Sequence, residues 1–226
     1  MGFDVKITTF SGILDLVAPH SCRGCGQLGE VLCKRCKNYN IGQAVKICSR
    51  CKKNYRECKC EVPVFVGFYR EGLMRELVED YKYQSIRDLS KVLAEILDET
   101  LPKGLGGGLQ AAIVPLPTAP KHIRERGFDH TLKLAKALAK RRKEFSVERV
   151  IFRYKNTVQV GSDAKTRKRQ AKEAYEVNND MVRSDVFYLL LDDIWTTGAS
   201  MEEAIHLMKK AGAKHLAAAV LLTAKK

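Results

Sequence analysis

With 45% apolar side chains over 226 residues, the chain has the material for a real core, which excludes global disorder. No run of about 18 apolar residues occurs, so no transmembrane helix is expected, and Asp4, Lys6 and Asp15 break the apolar stretch near the N-terminus, so no signal peptide is expected. The net charge of +14 is uneven: residues 121–172 hold 17 Lys/Arg against 5 Asp/Glu, +12 in 52 residues, which points to a polyanionic partner or to a solvated basic face. A cytoplasmic chain fits these features.

The predicted elements alternate along the chain. Phe10, Ile13, Leu14 and Val17 fall at helical spacing. Residues 20–62 hold all eight cysteines and too few large apolar residues for a core of their own. Residues 63–69 read as a strand that opens a second domain, giving a division into 1–62 and 63–226. Leu73, Leu77, Val78 and Tyr81 line one helix, and Leu89, Val92, Leu93, Ile96 and Leu97 the next. A glycine-rich connection at 103–108 leads to a short buried strand, Ala111 to Val114, stopped by Pro115 and Pro117. Leu132, Ala135, Leu138 and Ala139 mark a helix closed by the cations Lys140, Arg141, Arg142 and Lys143. Val150 to Phe152 is a strand. Residues 155–172 are basic without a period. Val186 to Leu191 is a buried strand, Met201, Ala204, Ile205 and Met208 form a helix, and Leu216 to Leu222 is a final strand. This order predicts an α/β fold, a mostly parallel twisted sheet flanked by helices, with ligands at the carboxyl ends of the strands.

The cysteines fall in two groups. Cys22 and Cys25 pair with Cys33 and Cys36, and Cys48 and Cys51 with Cys58 and Cys60. A Cys-x-x-Cys knuckle turns two thiolates to one side, and two knuckles complete a tetrahedral sulfur shell suited to zinc. Gly24 and Gly26 help the first knuckle bend. Structural zinc would supply the folding energy that this coreless region lacks. Disulfides are the competing reading, and an interleaved pairing of the eight cysteines remains open beside the sequential one.

The most informative stretch runs from Leu189 to Ser200. A buried strand ends in Asp192 and Asp193, and the small turn Thr196-Thr197-Gly198-Ala199-Ser200 opens a helix. Backbone N–H groups at a helix start, with Thr and Ser hydroxyls, can cradle a phosphate. The two acids can hold the hydroxyls of an attached ribose, or approach magnesium. An ordinary helix cap preceded by strand-end acids is the plainer alternative. The order of residues resembles the signature with which type I phosphoribosyltransferases bind phosphoribosyl pyrophosphate (PRPP), although Trp195 is bulkier than the side chain more usual there.

Further segments resemble the ComF/ComFC family, in which a zinc ribbon precedes a type I phosphoribosyltransferase-like domain. They are Leu14-Asp15-Leu16 through Pro19; Phe68-Tyr69, Gly72 and Lys82-Tyr83; Val114-Pro115-Leu116-Pro117; Arg124-Glu125-Arg126-Gly127-Phe128-Asp129; and Gln159 with Arg167-x-x-Gln170. Departures are Asp129-His130 in place of Asn-Gln, Gln170 in place of Asn, and Ser162 in place of a leucine. The resemblance implies that Asp192 and Asp193 face ribose hydroxyls and that Thr196, Thr197, Gly198, Ala199 and Ser200 bind the 5′-phosphate. It places a pyrophosphate loop at Thr118 to Lys121 and a substrate-covering loop at 153–170. Lys121, Arg124, Arg126 and Arg167 become candidates for pyrophosphate or DNA backbone. The family role implied is the handling of incoming single-stranded DNA in natural transformation, on the cytoplasmic side of the membrane and beside the DNA-uptake machinery. Phe128, Tyr154 and Tyr175 are either base-stacking or core residues. The alternatives are an active phosphoribosyltransferase using magnesium and PRPP with an unidentified acceptor, or a zinc-stabilised fold with a vestigial pocket.

Overall fold

The computed structural model describes residues 20–83, 89–153 and 175–224. The amphipathic piece at 10–17, Tyr154, and the loop residues Gln159, Ser162, Arg167 and Gln170 lie outside the described residues.

The elements in chain order are α1 (Lys34–Gly42), β1 (Ile47–Cys48), β2 (Val64–Tyr69), α2 (Gly72–Tyr83), α3 (Leu89–Thr100) and β3 (Ala111–Pro115). Next come α4 (Pro120–Arg126), α5 (His130–Arg141), β4 (Phe145–Val147), β5 (Ile151–Arg153) and β6 (Tyr175–Val177). A 3-10 turn at Asn179–Met181 precedes β7 (Phe187–Trp195), α6 (Ala199–Lys210) and β8 (His215–Thr223). Six strands form one sheet in the order β1-β2-β8-β7-β3-β4. All neighbours are parallel except β1, which pairs antiparallel with β2.

The central strand shows why the sheet is buried on both faces. Tyr188, Leu189, Leu190 and Leu191 of β7 are all fully buried. Side chains alternate across a strand, so Leu189 and Leu191 enter one core with Leu93, Leu97, Leu134 and Leu138. Tyr188 and Leu190 enter the other, with Met201, Ile205 and Met208 of α6. A near-continuous apolar run is therefore what this strand requires. The small Ala217, Ala218 and Ala219 of β8 pack beside it, also buried.

The structure departs from the sequence reading in three places. Residues 151–153 do form a strand, but β5 pairs antiparallel with β6 in a separate two-stranded ribbon. The main sheet instead gains β4, three residues long and parallel to β3, too short to give a periodic signal. Arg142 is not a solvated cation at a helix end. Its backbone leaves the helix at φ −106°, which turns the side chain inward. Its Nε donates to Asp98 Oδ1 at 2.6 Å, and its Nη1 and Nη2 donate to the Pro102 carbonyl at 3.2 and 3.3 Å.

The strand order reverses between β3 and β7. After β3 the chain returns through α5 to β4 on one side, and after β7 it returns through α6 to β8 on the other. The carboxyl ends of β3 and β7 thus open a crevice, the usual ligand position in such sheets.

Replacing Arg142 leaves Asp98 beside Arg141 alone, at 3.3 Å. Arg142→Ala is expected to cost about 3 kcal/mol, as breaking a buried ion pair does, with Arg142→Lys costing less. Urea denaturation measures both.

Candidate functional site

Strand β7 ends in the crevice and the chain turns at once into α6. Gly198 holds φ +78°, and a Cβ built on it would lie 2.3 Å from Cζ2 of Trp195. Glycine is thus required twice, for the left-handed backbone and for the indole beneath the turn. Thr197 Oγ1 accepts the Ala199 N–H at 3.4 Å, and Gly198 O accepts the Glu202 N–H at 2.8 Å as the helix begins. The helix start and the hydroxyls of Thr196, Thr197 and Ser200 border one cavity of about 400 Å³. Trp195 fills the space beside the glycine.

The two acids have different surroundings. Asp193 is 4% exposed, and its Oδ2 meets Lys82 Nζ at 2.6 Å and His130 Nε2 at 2.9 Å. Burial alone would raise its pKa, but Lys82 and His130 outweigh burial and hold the carboxyl far below the usual carboxylate range. Asp192 keeps some surface at the cavity wall and accepts the Asp193 N–H at 2.9 Å. Its carboxyl is nonetheless drawn out of bulk water and sits beside the charge of Asp193, and the two together push its pKa up to about 8.

The opposite wall comes from β3 and the helices after it. Thr118 Oγ1 donates to Asp129 Oδ1 at 2.9 Å and lies 3.0 Å from His130 Nδ1. Thr131 Oγ1 bonds the Leu116 carbonyl at 2.7 Å. Arg126 Nη1 donates to His130 Nδ1 at 3.1 Å, and its guanidinium covers the Tyr83 ring at 5.2 Å. These residues line a second space of about 180 Å³ that shares Lys82, Arg153, Tyr175, Asp192, Asp193 and Ser200 with the first. The crevice is continuous, with the turn from Thr196 to Ser200 at one end and the Pro117–Ala119 segment at the other.

Of the residues singled out by sequence, Asp192, Asp193, Thr196, Thr197, Gly198, Ala199 and Ser200 all border the larger cavity, and Arg126 the smaller. Lys121 and Arg124 border neither; Lys121 lies 3.8 Å from Glu125. Phe128 packs on Tyr81, ring centroids 5.6 Å apart. Tyr175 is 6% exposed and belongs to the second core, yet it also borders both spaces. Sequence reasoning missed Arg70, Lys82 and His130 as wall residues, while Thr118 and Arg153 fall within the two loops it placed beside the ligand. For Arg70 a signal existed, a cation directly after the carboxyl end of a parallel strand.

The oxygen and nitrogen atoms of His130, Asp192 and Asp193 come within 4.8 Å of one another, which raises the question of a divalent cation. The set fits magnesium poorly. Two nitrogen donors already converge on Asp193 Oδ2, and Nδ1 of His130 accepts from an arginine, which leaves the ring proton on Nε2.

The cysteines gather sequentially. Cys22, Cys25, Cys33 and Cys36 form one cluster, and Cys48, Cys51, Cys58 and Cys60 the other, each with sulfurs within 4.8 Å. Separations of 3.8 Å for Cys25–Cys33, 3.6 Å for Cys51–Cys58 and 4.0 Å for Cys48–Cys60 match the edges of a tetrahedron with zinc–sulfur bonds of about 2.3 Å. Burial opposes ionisation of Cys22 and Cys48. Backbone N–H groups outweigh it and lower them to about 6 and about 7. Burial and neighbouring sulfurs push Cys36 and Cys58 up to about 12. Four thiolates in one shell therefore call for a cation, and each cluster can hold a zinc ion. Gly24 serves by its small size, since a Cβ there would lie 2.8 Å from Cys36 Sγ.

Comparison with known proteins agrees with this geometry. The phosphoribosyl transferase domain family matches residues 126–226. Competence protein ComFC of Streptococcus pneumoniae is 26% identical over 92% of this chain and 90% of its own length. Competence protein F of Haemophilus influenzae is 26% identical over 95% of each. The chain is thus similar over nearly its whole length to two competence proteins, and its C-terminal part to the phosphoribosyl transferase domain family. Among solved structures, a Bacillus subtilis glutamine PRPP amidotransferase is similar at 13% identity and a TM-score of 0.37, over 61% of this chain and 26% of that one. A Trypanosoma cruzi hypoxanthine phosphoribosyl transferase is similar at 15% identity and a TM-score of 0.35, over 63% and 66%. The matched domain carries the whole turn from Asp192 to Ser200 and His130, while Lys82 precedes it.

Two outcomes follow from the site. Asp192→Asn removes a carboxyl whose pKa is raised by folding. Such a group costs the folded state progressively as pH rises from about 4 toward about 8. The variant is expected to be about 1–2 kcal/mol more stable than wild type at pH 7 and no more stable at pH 4, by thermal denaturation. Gly198→Ala is expected to cost about 2 kcal/mol through its left-handed backbone and to change the emission of Trp195, the sole tryptophan.

Proposed function

We propose that this protein belongs to the ComF/ComFC family, binds the ribose 5-phosphate part of PRPP, or of a related ribose phosphate, and handles incoming single-stranded DNA in natural transformation. One observation carries the first half: Asp192 and the hydroxyl-rich turn Thr196 to Ser200 lie on one cavity wall at the carboxyl end of β7. Helix N–H groups and the Thr197 hydroxyl donate to the phosphate there, and the ribose hydroxyls donate to the acid. The second half is supported by the full-length likeness to two competence proteins and by the charge of +12 over residues 121–172. Arg126 and Arg153 border the space beyond the ribose, where a pyrophosphate would lie. Lys121, Arg124 and Arg167 are assigned to the DNA backbone.

In this reading the chain divides near residue 62 into a zinc-stapled module and a PRPP-binding domain. Magnesium accompanies the diphosphate of the ligand and supplies charge neutralisation there. No described helix is long and apolar enough to cross a membrane. The protein works at the cytoplasmic face of the membrane, beside the DNA-uptake machinery.

Calorimetry with PRPP tests the pocket. Asp192→Ala is expected to weaken binding by about tenfold or more, and unchanged affinity would sink the assignment. Single-stranded DNA binding is expected to fall by about 100-fold or more between 50 and 200 mM salt, and a flat affinity excludes a backbone-tracking surface. Metal analysis should find two zinc ions per chain, one per cluster, and chelation should lower the melting temperature.

A further inference from the structure

We propose that Lys82 is the resident cation of the site: it commits Asp193 to structure, leaves Asp192 as the ligand-facing acid, and lets a ribose phosphate bind with no divalent metal on the carboxylates. The inference rests on the reading of the cavity as a ribose-phosphate site.

Lys82 sits in the last turn of α2, and its Nζ lies 2.6 Å from Asp193 Oδ2. The side chains are 14% and 5% exposed, so the pair is largely screened from water. A second donor, His130 Nε2, reaches the same oxygen at 2.9 Å. Arginine carries no acceptor, so the Arg126 contact at His130 Nδ1 requires a lone pair on Nδ1 and places the proton on Nε2. Both nitrogens therefore lie within ion-pair distance of one buried carboxylate oxygen, which accepts no well-aligned hydrogen bond. Magnesium needs oxygen ligands at about 2.1 Å in octahedral array. It would have to displace the ammonium, whose charge repels it strongly at this range in a poorly hydrated setting. His130 cannot ligate through a nitrogen that carries a proton.

Asp192 is placed differently. It borders both spaces of the crevice, and among the described residues no cation is bridged to it. Its carboxyl is the acceptor that faces the ligand. Lys82, Arg70 and Arg153 border the larger cavity and supply the positive charge that metal ions often bring to phosphate sites. The adjacent acids thus divide their work: one fixes the wall, the other contacts sugar.

The test uses ribose 5-phosphate, which lacks the diphosphate that itself carries magnesium. Its affinity for the full chain is measured by calorimetry in magnesium-free buffer and in 5 mM magnesium, a working concentration of about the usual order. Wild type is expected to bind with less than about twofold difference between the two buffers. Lys82→Met is expected to lose about tenfold or more without magnesium and to regain part of it with magnesium, while Lys82→Arg stays within about threefold of wild type in both. A wild type that binds only with magnesium overturns the inference while leaving the pocket in place, as does a Lys82→Met variant that binds like wild type without it. No binding by wild type in either buffer overturns the ribose-phosphate reading itself. Should Lys82→Met fail to fold by circular dichroism, the wild-type and Lys82→Arg arms still decide.

Discussion

A carboxylate buried to 4% exposure must be paired or it destabilises the fold by several kcal/mol, and Asp193 meets that demand by drawing three elements to one point. It stands near the end of β7, Lys82 near the end of α2, and His130 at the start of α5. Neighbouring contacts reinforce the junction. The Tyr81 hydroxyl donates to the His130 carbonyl at 2.7 Å, and its buried ring packs on Phe128. Asp129 caps α5 by accepting the Leu132 N–H at 3.2 Å and also holds Thr118 and Thr131. The short segment after β3 is thereby fixed relative to the end of β7. Those two segments are the walls of the crevice.

The parallel sheet makes such a junction possible. Strands β7 and β8 end together at Trp195 and Thr223, while β3 ends at Pro115 opposite Leu191, so the segment after β3 faces the last residues of β7. Apolar residues fill both faces until the strand ends, and polar residues take over only there: Asp192 and Asp193 on β7, Thr223 on β8, Thr118 after β3. The transition from core to site occurs within one or two residues. It follows from a sheet covered on both faces, because water reaches the strands only at their ends.

Much of this was legible in sequence. The alternation of apolar strands and amphipathic helices gave the layers, and the cysteine spacing gave two clusters that the structure gathers sequentially. The turn from Thr196 to Ser200 was readable as a turn at the cavity wall because consecutive small and hydroxyl residues between a strand and a helix leave a local pattern. Lys82 and His130 were not readable as partners of Asp193. They lie 111 and 63 positions away along the chain, and nothing local about a lysine near a helix end distinguishes a buried ion pair from a solvated cation. Arg142 failed for the same reason in reverse: it sits in a run of four cations, and only the helix end decides which one turns inward. The presence of His130 where an amide is commoner in the family the sequence resembles becomes intelligible in the structure, since an imidazole can meet Arg126 and Asp193 through its two nitrogens at once.

The cysteine region belongs to the same argument. Arg50 lies between Cys48 and Cys51, and its Nε donates to Glu202 Oε1 at 2.8 Å while its Nη1 donates to the Val62 carbonyl at 3.1 Å. Glu202 stands in the first turn of α6, where a carboxylate is favoured by the helix dipole. Ser49 bonds Thr223 at 3.4 Å, and β1 adds Cys48 to the edge of the sheet. The second cluster thus braces the helix whose start follows the turn from Thr196 to Gly198. A knuckle with so few apolar residues has no core to hold this position, so its four sulfurs must define where Arg50 points. Arg50 ties the second cluster to the start of α6, and the Lys209–Glu61 ion pair at 2.6 Å ties the same region to the end of that helix.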